Sequence, residues 1–242
     1  MRNGDAIQCH PASGDETLTR PASEPVFNAP MIAVLLAASM PILYLFQSRL
    51  PDQGLALAFR PASLIEGGWW PGVITSMFLH AGWAHALMNA VAALAFAPPV
   101  ARLFAGAKGV LAFLAIYIVC GALAALGQGV VDLNSDGVVV GASGAVFGLM
   151  GAALRLLGRR SGQPPRALTD PRFLAPAAVI MAVNAVVGVT GLTPGMEGVR
   201  IAWEAHAAGF VVGALLIGPW IRIFSRHAVT FDSHADVSDA AD

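Results

Sequence analysis

Charge is scarce in this chain. Only 12% of its 242 residues are Asp, Glu, Lys or Arg while 56% are hydrophobic, against a charged share of about 25% in soluble domains. That excludes an ordinary water-soluble globule and predicts an integral membrane protein. Cysteine is scarcer still. Cys9 lies in a polar N-terminal segment and Cys120 in an apolar run, so a disulfide framework is excluded and Cys120 reads as core packing. Carboxylates are missing from the long apolar runs, apart from Glu204 at one edge, which removes the acidic pair that aspartyl chemistry inside a bilayer needs. No His-Glu-x-x-His stretch occurs and the six histidines are spread over separate segments, so the sequence asks for no metal and no other cofactor. No basic cluster is large enough for nucleic acid, and a net charge of -1 adds no argument for one.

What the chain does have is apolar length. Six runs, roughly 31–47, 84–101, 109–131, 137–154, 173–196 and 205–221, are long and uncharged enough to span a bilayer. They are continuous rather than alternating, which predicts an all-α membrane protein with six transmembrane helices and not a barrel. With both termini inside, nine basic residues fall in cytoplasmic connections and flanks: Arg102, Lys108, Arg155, Arg159, Arg160, Arg166, Arg172, Arg222 and Arg226. Only Arg49, Arg60 and Arg200 fall outside, so the positive-inside bias predicts cytoplasmic termini. Residues 1–25 and 227–242 are polar and read as disordered cytoplasmic tails around a membrane domain over 26–226. Asp5, Glu16 and Glu24 argue against a mitochondrial transit peptide. A bacterial plasma membrane is the expected location. Residues 48–79 form an external connection too polar to span, yet studded with Trp69, Trp70 and several leucines, as an interfacial segment or a loop packed on the bundle would be.

The polar residues inside the apolar runs are few. His85 and Asn89 are four apart in the second run and share one helix face. His80 precedes that helix and can be a satisfied loop histidine. Ser143 heads the fourth run within Gly141-Ala142-Ser143-Gly144, and His206 heads the sixth. At about 1.5 Å per residue, Ser143 lies roughly 18 Å above Arg155, Asn89 about 20 Å above Arg102 and His206 about 24 Å above Arg222. All three therefore fall in the outer half of the membrane at nearly one depth. Gly144 and Gly148, with Gly209 and Gly213, make two small-residue faces that let helix backbones approach closely. Phe147 is one turn from Ser143, so its ring can pack against an imidazole from the sixth helix. Asn184 in the fifth run reads as interhelical hydrogen-bonding glue, a role open to His85 and Asn89 as well. Glu204 is two residues from His206 and so on another face.

The series His80-xxxx-His85-xxx-Asn89, Gly141-Ala142-Ser143-Gly144 and Ala205-His206-xx-Gly209-xxx-Gly213, in this order on three helices, resembles the rhomboid intramembrane serine proteases. The resemblance covers about residues 31–222. It implies a six-helix rhomboid-like bundle, a Ser-His dyad without an aspartate, and cleavage of the transmembrane segments of single-span membrane proteins within the lipid bilayer. Ser143 would be the nucleophile and His206 the general base, with His85, Asn89 and the Ser143 backbone N–H around the oxyanion. His80, Phe147, Gly144, Gly209 and Gly213 would support the site. Two positions depart from the family pattern: Pro71-Gly72 stands where a Trp-Arg pair is usual, upstream of Thr75, and Ala101 where an acidic residue is often found.

Other readings fit less well. A catalytically inactive rhomboid relative that binds or chaperones membrane proteins would share the fold but has no need of both Ser143 and His206. A transporter would show interrupted helices repeated in two halves, and no such repeat is present. A soluble hydrolase elbow, Gly-x-Ser-x-Gly, fails at Ala145.

Overall fold

In a computed structural model, the described residues are 29–135, 137–159, 162–191 and 201–225. The two tails expected to be disordered lie outside them, as do Cys9, Arg160, Arg200 and Arg226. Eight α-helices are described: α1 (Met31–Gln47), α2 (Ser63–Glu66), α3 (Gly72–Thr75), α4 (Trp83–Ala101), α5 (Gly106–Val131), α6 (Ser143–Leu156), α7 (Pro171–Thr190) and α8 (Trp203–Phe224). Among the described residues there is no β-strand, only one isolated bridge between Phe59 and Val139. By length and hydropathy α4, α5, α7 and α8 are each able to cross a bilayer, and α1 and α6 are apolar but shorter. The protein is an integral membrane protein of packed helices.

Among the described residues, the expected apolar runs and these helices agree within a few residues, with one correction. The fourth run does not become a helix at residue 137 but at Ser143. Residues before it are drawn out of the helix by the connection over 48–79: Val139 and Phe59 exchange backbone hydrogen bonds at 2.8 and 3.2 Å, and Gly141 N–H donates to the Ser76 carbonyl at 2.9 Å. Gly141 itself has φ +127°, which an L side chain rarely adopts. The fifth run is helical to Thr190, where Gly191 turns left-handed (φ 66°) and its N–H closes on the Val187 carbonyl; residues 192–196 lie outside the described residues. The tandem Pro98-Pro99 lies in the last turn of α4, where each removes a backbone donor, and the helix ends at Ala101.

Helix α6 is the centre of the bundle. Eleven of its fourteen residues are buried, and α8, α5 and α4 surround it. Its glycines explain the closeness. A Cβ added to Gly209 would run into the Gly144 carbonyl, and one added to Gly213 into the Gly148 carbonyl. Gly151 repeats the pattern against the Phe210 carbonyl. At the far end of α6, Arg155 donates through Nη1 to the Ala214 carbonyl at 2.6 Å and through Nε to the Arg166 carbonyl at 2.7 Å. Helix α7 stands apart: only Phe173, Ala177 and Asn184 are buried along its length. The connection over 48–79 packs inward through Phe59, Ala58 and Ala62 while Trp69 and Trp70 remain exposed.

Candidate active site

Ser143 is the first residue of α6, so its backbone N–H belongs to the turn that has no intrahelical acceptor. Its Oγ lies 2.8 Å from Nε2 of His206, three residues into α8. The glycine contacts between α6 and α8 are what allow a side chain as short as serine to reach. Phe147, one turn further along α6, stacks on the His206 ring with centroids 4.4 Å apart and planes 7° from parallel. The other ring nitrogen, Nδ1, lies 2.9 Å from Oδ1 of Asn184 on α7, and the Asn184 Nδ2 donates to the Trp203 carbonyl at 2.9 Å.

Across the site stands His85 in the first turn of α4. Backbone N–H of Ala81 donates to its Nδ1 at 3.2 Å. A neutral imidazole so engaged carries its proton on Nε2 and offers it as a donor. That nitrogen is packed against Gly141, where an added Cβ would lie 2.8 Å from it and 3.5 Å from Ser143 Oγ. Asn89 is buried one turn along α4 and donates one amide hydrogen to the His85 carbonyl at 2.9 Å, leaving its second hydrogen uncommitted to that bond. Ser143, His206, His85, Asn89 and Phe147 all line a single cavity of about 840 Å³.

His80 corrects the expectation of a satisfied loop histidine. Its ring is only 1% exposed, and neither ring nitrogen meets a hydrogen-bond partner among the described residues. It packs edge-on to His85 at 5.4 Å. Burial, with His85 adding to it, lowers its pKa to about 4, so the ring is neutral at physiological pH. What is fixed at this position is the backbone. The Gln47 side chain at the end of α1 accepts from the His80 N–H and donates to the His80 carbonyl, both at 2.8 Å.

The sequence reading missed Gln47 and Gln128, the latter a buried residue of α5 that accepts from the Ala205 N–H at 3.2 Å and so steadies the first turn of α8. Both carried a signal, since a glutamine in an apolar helix must find a partner. Asn184 does bond between helices as read, and also reaches His206. Cys120 is fully buried in the core, in keeping with packing. Among the described residues, no three His, Cys, Asp or Glu side chains are grouped so as to hold a metal ion.

The Rhomboid domain profile matches residues 66–222. No curated protein matches the chain. The matched segment takes in α4 to α7, α8 as far as Arg222, and every residue gathered at the cavity except those of α1 and the loop next to it. It is well over half of the sequence, and the chain belongs to the rhomboid family of membrane proteins.

Proposed function

We propose that the protein is an intramembrane serine endopeptidase that cleaves transmembrane segments of single-span membrane proteins through a Ser143–His206 dyad and an acyl-enzyme. The observation that carries this reading is the 2.8 Å approach of His206 Nε2 to Ser143 Oγ inside the cavity. A serine hydroxyl is a poor nucleophile until a base takes its proton. His206 Nε2 would accept that proton as Oγ attacks the scissile carbonyl and return it to the leaving amine. Water would then release the acyl group by the same route in reverse. The developing oxyanion would be met by His85 Nε2–H, by the second Asn89 amide hydrogen and by the Ser143 N–H, donors held in place before the reaction starts. His80, Gly144, Gly209 and Gly213 support the site through packing.

In this reading α1 and α4 to α8 all cross the bilayer, with the nine-to-three basic bias setting both termini in the cytoplasm of a bacterium. The membrane domain runs over 26–226, with tails at 1–25 and 227–242. Substrate would approach within the lipid, and water would enter the cavity from the outer side.

The test is reconstitution of the purified protein in liposomes with a single-span reporter, alongside treatment with a fluorophosphonate probe and mass spectrometry of the adduct. Reporter cleavage together with an adduct on Ser143 is the expected result. A folded protein that neither cuts nor labels overturns the reading in favour of an inactive rhomboid relative that binds its clients. If the oxyanion assignment is right, His85→Ala lowers kcat by about 10²- to 10³-fold with little change in KM. Steady-state cleavage over a range of reporter-to-lipid ratios measures the two separately, and a change confined to KM removes His85 from that role.

A further inference from the structure

We infer that Asn184 is a positioning residue for His206, the third member of a hydrogen-bonded series that runs from the Trp203 carbonyl through Asn184 and His206 to Ser143. The inference rests on the reading of Ser143 and His206 as nucleophile and base. It deepens that reading by adding a residue from a third helix.

The starting point is a group with no freedom. A backbone carbonyl only accepts, so the Trp203 oxygen, 2.9 Å from the Asn184 amide, fixes which end of that amide is NH2. Its Oδ1 is thereby turned to His206 Nδ1, also at 2.9 Å. An amide oxygen cannot donate, so Nδ1 must carry a proton, and in the neutral ring Nε2 is then bare. A bare Nε2 at 2.8 Å from Ser143 Oγ can do one thing, which is to accept the hydroxyl proton. The opposite arrangement, with the amide reversed, would set two acceptors against each other at Trp203 and turn Nε2–H towards the serine, a geometry in which the imidazole is no base.

Phe147 cannot supply this information. Stacking 7° from parallel fixes the plane of the His206 ring, but a half-turn about its Cβ–Cγ bond leaves that plane unchanged while exchanging the nitrogens for carbons at both edges. Asn184 breaks the degeneracy. Its position is otherwise hard to explain: it is 7% exposed on α7, whose other buried residues are Phe173 and Ala177. A neutral amide also suits the depth of the site. An aspartate in the same place would bring an ionised carboxylate into an apolar bundle, at the expense that intramembrane charges carry.

The experiment reads the tautomer directly. Protein labelled with ¹⁵N in its histidine rings is examined in micelles, with the His206 signals assigned by their loss in His206→Ala. The wild-type spectrum should show His206 neutral, with Nδ1 protonated and Nε2 bare. In Asn184→Leu, similar in size but without an acceptor, the signature should move towards Nε2–H, and kcat for the reporter should fall at least about tenfold, within the ~10⁴-fold that the wrong tautomer costs a serine–histidine pair. Asn184→Asp loses the bond to Trp203 but keeps an acceptor for Nδ1, so it should keep the wild-type tautomer and restore part of kcat. A wild-type ring protonated on Nε2 overturns the inference. So does an Asn184→Leu protein that melts earlier yet keeps tautomer and kcat, since Asn184 would then be interhelical glue alone. If the wild type is folded but inert, the protease reading falls while the ring spectrum still decides the role of Asn184. If Asn184→Leu does not fold, the wild-type and Asn184→Asp spectra decide it.

Discussion

Ser143→Ala and His206→Ala should each lower turnover of a single-span reporter by at least about 10³-fold, and the double variant should be no slower than the worse of the two. The non-additivity is the informative part. In the proposed dyad, nucleophile and base would act in one proton transfer, so removing either would abolish the step that both serve, and the remainder would come from binding and from oxyanion donors that neither change touches. The two side chains meet at 2.8 Å and the ring keeps its place over Phe147, so Ser143→Ala leaves the packing intact and its melting temperature should match the wild type. His206→Ala also strips the stack from Phe147 and the partner from Asn184, so it should melt earlier. Cleavage in liposomes, paired with thermal unfolding of the same preparations, separates the two effects. Losses that multiply in the double variant would mean that Ser143 and His206 contribute independently, and the dyad would be wrong.

The second large effect is on folding. Gly213→Val should fail to give a stable bundle, or give one that unfolds well below the wild type and has lost reporter cleavage. Its Cβ would meet the carbonyl, carbonyl carbon and Cα of Gly148 at once. These are backbone atoms of the central helix, which have no rotamer to move into. Overpacking a close helix contact typically costs about 1–3 kcal/mol, and here relief requires α6 and α8 to separate along the face that carries Ser143 and His206. Gly209→Val should behave alike, for the same reason against the Gly144 carbonyl. The control is Gly82→Ala: its backbone is extended and nothing lies within 4 Å of the added Cβ. Melting and cleavage of all three proteins check the argument. A Gly213→Val protein as stable as Gly82→Ala would show that the helices can repack.

How much of this was legible in the sequence varies by residue type. The helices were, because apolar runs bounded by charge have few ways to be satisfied in lipid, and so were Gly209 and Gly213, whose spacing sets a packing face. The stack of Phe147 on His206 was legible from one turn of helix. The start of α6 was not, since residues 137–142 are as apolar as the helix after them. Only the bridge from Val139 to Phe59 and the bond from Gly141 to Ser76 remove them from the helix, and both depend on a connection some 60 to 80 residues earlier. Asn184 shows the other limit. A lone asparagine in an apolar run announces that it needs a partner, but which partner depends on how α7 lies against α8. For the same reason the two glutamines escaped notice: Gln47 and Gln128 bond to backbone groups, whose positions no side-chain pattern reveals.

The distance along the chain between the two residues that meet in the cavity also sets a timetable. Ser143 and His206 are 63 positions apart, with the whole of α7 between them. A ribosome adding about 5–20 residues per second makes the hydroxyl roughly 3–13 s before the imidazole. Until α8 has entered the membrane and its glycines have closed on α6, the serine is an ordinary alcohol. Under the proposed function, a half-made chain drifting among other newly inserted proteins would be harmless to them, and the order of synthesis would do the work that a removable inhibitory segment does in some hydrolases.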